Sequence, residues 1–75
     1  MNQELYVAKL TTRHFAFEAF GESESQAQAA LLRGLRLHLS QYPLADIREM
    51  MQDAEIHFVL VGECYRDHQR LEPKQ

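Results

Sequence analysis

Alternation of apolar and polar residues governs the first twenty positions. Tyr6, Ala8 and Leu10 fall on one side of an extended chain, with Leu5 and Val7 on the other. Further on, Phe15, Phe17 and Ala19 share one side, and His14, Ala16, Glu18 and Phe20 share the opposite one. Aromatic residues at this spacing suit a pleated surface, so both stretches predict strands. The intervening Thr11-Thr12-Arg13 lacks Asn-Gly or Asp-Gly, which predicts a hairpin with a loop longer than a tight primed turn.

The period changes after Gly21. Ser23 followed three residues later by Gln26 matches a capping box, and Glu22 and Glu24 sit where the positive end of a helix dipole favours acids. Ala27, Ala30, Leu31, Gly34, Leu35, His38 and Leu39 then recur at helical spacing. They predict an amphipathic helix of about 17 residues that ends before Pro43. Leu32 and Leu37 flank this stripe on either side, so the apolar arc exceeds half the circumference, while a helix on one sheet needs only ~100°. The surplus predicts cover from residues 44–51, from the C-terminal tail, or from a second copy meeting at Leu32 and Leu37. Gly34 on the buried stripe costs ~1 kcal/mol against alanine, which predicts a close approach of the helix backbone to the sheet.

Leu44 to Met51 reads as a short second helix with Leu44, Ile47 and Met51 on its buried edge and Asp46 and Glu49 outside. Glu55 to Val61 is apolar on both faces and predicts a central strand. Arg66 to Gln75 is polar enough to fray. The expected class is therefore α+β: an antiparallel β-β-α-(short α)-β chain whose three-stranded sheet carries one long helix on one face. Residues 1–75 form one domain, with an ordered core over 4–66 and a mobile tail over 67–75.

With 75 residues, of which 45 % are hydrophobic and 25 % charged, the chain is globular rather than disordered. A domain of this size buries only ~60 % of its unfolded surface, which favours association with another chain. No uninterrupted apolar run is longer than that at Phe58–Val61, so no membrane span is expected. Glu4, Lys9, Arg13, His14 and Glu18 leave no apolar segment for a secretory leader within residues 1–20. A lone cysteine, Cys64, cannot close an internal disulfide, and the expected compartment is the reducing cytoplasm. Eight basic residues against eleven acidic ones, with no basic stripe, weigh against nucleic acid as the partner.

Candidate chemistry is sparse. Cys64-x3-His68 has a spacing that zinc could use, with His57 as a third ligand, but the paired C-x2-C of structural zinc sites is missing. The expectation is no metal site and no cofactor. Cys64 as a nucleophile would need a base and a cleft, and the glycines stand alone at 21, 34 and 62 rather than forming a phosphate loop. No catalytic residue is expected. Phe15, Phe17 and Phe20 resemble a base-stacking platform, yet a helix must cover Phe15 and Phe17, and Glu18 beside Phe20 would repel phosphate. The residues expected to meet a partner are Arg33 and Arg36 on the polar strip of the helix, and the acidic edge Asp46, Glu49 and Asp53.

The hairpin, the aromatic strand and the run Ser23-Glu24-Ser25-Gln26-Ala27-Gln28-Ala29-Ala30-Leu31 together resemble the partial double-stranded-RNA-binding-like domain of HicB-type antitoxins over residues 5–40. Tyr65-Arg66-Asp67 is similar to a motif near the last strand of small orphan proteins carried by phages and plasmids. Unlike HicB, the chain lacks a Pro-rich loop before the helix and a C-terminal DNA-binding element. The resemblance to mobile-element proteins implies a small protein-binding inhibitor of a host defence complex, of the anti-CRISPR type. That to HicB implies an antitoxin or RNA-contacting module, for which the basic residues of the chain itself offer Arg13, Arg33 and Arg36, and the surplus apolar arc leaves a homodimeric structural domain as the third expectation.

Overall fold

The computed structural model describes residues 3–73. β1 (Glu4–Thr11) and β2 (Ala16–Gly21) pair antiparallel, with Tyr6 opposite Gly21 and Leu10 opposite Phe17. Thr12 closes the loop between them: its amide and its hydroxyl both donate to the Phe15 carbonyl, and the hydroxyl accepts from the Phe15 amide. A side chain thus does what a primed dipeptide does in a tighter hairpin. β3 (Glu55–Leu60) pairs antiparallel with the other side of β1, Tyr6 opposite Phe58 and Val7 opposite His57. The α+β architecture is the one read from the sequence.

The strand order is β2-β1-β3, so β1 is central and β3 lies at an edge, contrary to the expectation that β3 is central. Its apolar residues on both faces have another cause. Ile56, Phe58 and Leu60 point to the side of the long helix, while His57 and Val59 point to a face that the C-terminal residues partly cover. Ile56 packs against the core while Phe58 stays 48 % exposed, so the pattern reflects partial cover on each face rather than a central position. Because β2 and β3 both oppose β1, they run parallel to each other and need a crossover connection, which the helices supply.

α1 (Glu24–Gln41) begins at Ser23, whose hydroxyl accepts from the Gln26 amide at 3.1 Å. The Gln26 side chain returns the bond to the Glu22 amide, one residue ahead of the usual capping-box partner. Ala27, Leu31 and Leu35 are buried against Ala8, Leu10 and Ala19, and these six form the core. Tyr6, Phe17 and Ile56 pack around it from the same face of the sheet. α1 lies over β2 and β1 and scarcely reaches β3.

α2 (Ile47–Gln52) starts later than the periodicity predicts. The Ala45 amide donates to the Tyr42 carbonyl, closing a turn with Pro43 at its second position and Leu44 at its third. That turn carries Leu44 out of the predicted buried edge and leaves it 99 % exposed. Ile47, Met50 and Met51 fill the edge instead. The close approach predicted at Gly34 occurs elsewhere. A Cβ on Gly34 would meet nothing within 4 Å, whereas one on Gly21 would lie 2.5 Å from the Ala27 amide nitrogen. The tight place is the first turn of α1, where the chain has just left β2.

Residues expected to fray form a second hairpin. β4 (Tyr65–Arg66) pairs with β5 (Gln69–Arg70) through a two-residue turn in which Asp67 and His68 have φ of 51° and 70°. Positive φ at both positions is the type I′ requirement, usually met by Asn-Gly. The last two residues of the predicted tail, 74–75, lie outside the described residues. Among the described residues, no helix is long and apolar enough to cross a membrane.

Candidate functional site on the open face of the sheet

The face of the sheet turned away from α1 carries Leu5, Val7 and Lys9 from β1, Glu18 and Phe20 from β2, and Glu55, His57 and Val59 from β3. Val7 belongs to this face, yet is only 8 % exposed. Its cover comes from the β4–β5 hairpin, whose Tyr65 and His68 line one hollow with Val7, His57 and Val59. The hairpin shares no ladder with the sheet. It is held by side chains. The Tyr65 hydroxyl accepts from the Leu60 amide at 2.9 Å. Val61 donates inward to the Gln3 carbonyl, so by antiparallel alternation Leu60 directs its amide away from β1, and Tyr65 satisfies a donor on the free edge.

Below that anchor the hairpin turn lays His68 on His57, ring centroids 3.7 Å apart and 15° from parallel. Glu55 and His57 stand two residues apart on β3 and so project to the same side. The Glu55 carboxylate reaches both rings, its Oε2 3.4 Å from His57 Nε2 and 3.8 Å from His68 Nε2. His57 Nε2 is buried and has no hydrogen-bond partner. Lys9 lies opposite Glu55 on one side of β1 and opposite Glu18 on the other, placing one cation between two acids on this face.

This grouping revises the candidate ligand set. His57 and His68 meet, but Cys64 is exposed and free, and the third donor beside them is Glu55. The overlooked signal was the Glu55-x-His57 spacing, which places two donors on one face of any strand. His68 could be assigned to them only once the hairpin was known. Farther along the hairpin, Arg70 forms an ion pair with Glu72. Its guanidinium is held above the usual arginine value, first by the hydrogen bond to Glu72 and then by its charge. The pair is exposed to solvent, where such contacts add little.

The residues expected to meet a partner are dispersed. Arg33 and Arg36 are exposed on the outer side of α1. Asp46 caps α2, accepting from the Glu49 amide at 3.2 Å, and Asp53 ends it through a backbone bond to the Met50 carbonyl. Glu49 is exposed in the first turn between them. Two of the three acids thus have local structural work, and Asp53 also borders a hollow with Lys9, Glu55 and His68. Leu32 is half-buried, while Leu37 is 72 % exposed.

The three phenylalanines of the supposed stacking platform do not share a face. Phe17 packs on the core, Phe20 is exposed on the open face, and Phe15 lies just outside β2. Phe15 joins a group at the end of α1 in which His38 stacks on Tyr42 at 4.7 Å and meets Phe15 edge-on at 4.9 Å. Neither a protein-family model nor a curated protein nor a solved structure matches the chain.

Proposed function

We propose that this chain is a non-catalytic domain that binds another protein through the end of the molecule where α1 stops. The observation that carries this reading is the exposure of large apolar side chains there. Leu37, Tyr42 and Leu44 are all exposed at or just beyond the last turns of α1, and the Phe15 ring lies 5.1 Å from that of Tyr42 at a tilt of 58°. Burial of such surface contributes about 25 cal/mol per Å², and four of the eight large apolar side chains exposed among the described residues, Phe15, Leu37, Tyr42 and Leu44, belong to this end. Arg33 stands one helical turn before Leu37, with Arg36 adjacent, and arginine beside an apolar centre is a common arrangement at protein interfaces. Glu49 supplies the opposite charge from α2. The partner is accordingly a protein with an apolar anchor and a mixed-charge rim.

The resemblance to phage and plasmid proteins directs the proposal to one partner class, a host defence complex that the chain inhibits. A HicB-like contact with RNA is less well supported, because Glu18 and Glu55 both project from the open face of the sheet. A homodimer joined at Leu37, with Leu32 at its margin, would use the same end of α1 twice over.

Capture with the wild-type chain and with a Leu37→Asp, Leu44→Asp double variant tests the reading. A protein retained by the first and lost by the second, with circular dichroism unchanged, is expected. Equal recovery by both, or recovery of RNA alone, overturns it. Sedimentation of the isolated chain identifies the homodimer if the mass is twice that of one copy.

A further inference from the structure

We propose that Glu55, His57 and His68 form a binding site for a divalent transition-metal ion of the zinc class, which fastens the β4–β5 hairpin to β3. The site is separate from the apolar end of α1 and does not depend on the function assigned to that surface.

The donor set is two imidazoles and a carboxylate, a combination that suits zinc, cobalt or nickel and not the all-oxygen shells of calcium and magnesium. Distances agree with it. Ligand atoms bound to one tetrahedral ion at 2.0–2.1 Å lie about 3.4 Å from each other. Glu55 Oε2 is 3.4 Å from His57 Nε2 and 3.8 Å from His68 Nε2, and the three donor atoms all lie within 4.8 Å of one another. Parallel rings direct their lone pairs side by side, so binding requires His68 to rotate out of the stack until both nitrogens converge. It sits at a hairpin turn, where that rotation displaces no ladder. At least one position on the ion is then left to water.

One further observation favours a ligand role over simple stacking. His57 Nε2 is removed from water without a hydrogen-bond partner, a state that buried polar atoms rarely keep. A metal ion would satisfy it directly. His68 occupies a backbone position with φ of 70°, a conformation that glycine adopts without strain and histidine more readily than most side chains.

The untagged chain is titrated with zinc chloride, and separately with magnesium chloride, while thermal unfolding and heat of binding are followed. One equivalent of zinc should raise the melting temperature, and magnesium should not. His68→Gly is the decisive variant, because it removes a ligand and relieves the positive φ. Its metal-free form should melt at or above the wild-type temperature, and its response to zinc should be lost. Cys64→Ser should retain the full response. With cobalt(II) in place of zinc, visible absorption of a four-coordinate ion should appear in the wild type and be absent in His68→Gly. The proposal is overturned by a wild type that does not respond to zinc, by a response surviving in His68→Gly, or by one abolished in Cys64→Ser.

Discussion

A Cβ added to Gly21 would sit 2.5 Å from the amide nitrogen of Ala27, while one added to Gly34 would touch nothing within 4 Å. The two glycines therefore answer oppositely to the same substitution. Gly21→Ala forces the end of β2 away from the first turn of α1 and should cost about 1–3 kcal/mol, as overpacked sites do. Gly34→Ala removes a helix-interior glycine with free space beside it and should stabilise by about 0.4–1 kcal/mol. Urea unfolding of both variants checks this. A destabilised Gly34→Ala would mean that α1 lies nearer the sheet than described.

The cap of α1 makes a second prediction. Ser23→Ala removes the acceptor of the Gln26 amide and should cost about 1 kcal/mol. Gln26→Ala removes the return bond to the Glu22 amide and should cost less, because that donor can turn to water. Both bonds serve one turn, so the double variant should lose less than the two single losses combined. Strict additivity in a denaturation cycle would show the two bonds to be independent.

Core and surface leucines should separate sharply. Leu31 is buried at the centre of the helix–sheet contact, and Leu31→Ala should cost about 2–5 kcal/mol. Leu44→Ser should shift stability by no more than about 0.5 kcal/mol, since that side chain is exposed. The comparison bears on function, for a large residue kept outside without benefit to folding is available for a partner. A marked loss in Leu44→Ser would instead give Leu44 a role in the fold.

What could be read from the chain divides along a physical line. The β1 and β2 faces, the Ser23 cap and the buried stripe of α1 are set by local periodicity and local hydrogen bonds, and each stands where the pattern placed it. Three features depended on tertiary contacts. The position of β3 follows from which edge of β1 is left open, and its apolar residues on both faces mark partial cover rather than a central place. The exposure of Leu44 follows from the turn at Tyr42–Ala45, which interrupts the helical period. The Glu55, His57 and His68 group needs a hairpin whose Asp67-His68 turn lacks the glycine that normally marks it. Local rules reached the helix and the first hairpin, and stopped where one segment had to find another.

Tyr65→Phe tests how that last hairpin is joined to the rest. The substitution keeps the ring but removes the oxygen that accepts from the Leu60 amide, a bond worth about 1 kcal/mol, or roughly a fivefold change in an equilibrium constant. Leu60 donates from the free edge of β3, so its amide has no strand to turn to and should exchange with solvent several-fold faster. The neighbouring Val61 amide, bonded to the Gln3 carbonyl just beyond the ends of β3 and β1, should exchange at its former rate. Because β4 and β5 share no ladder with the sheet, loosening them should leave global unfolding nearly unchanged. Equal acceleration at Leu60 and Val61 would show instead that the hairpin unfolds with the core. In that case the cover over Val7 would belong to the cooperative unit that holds the domain together.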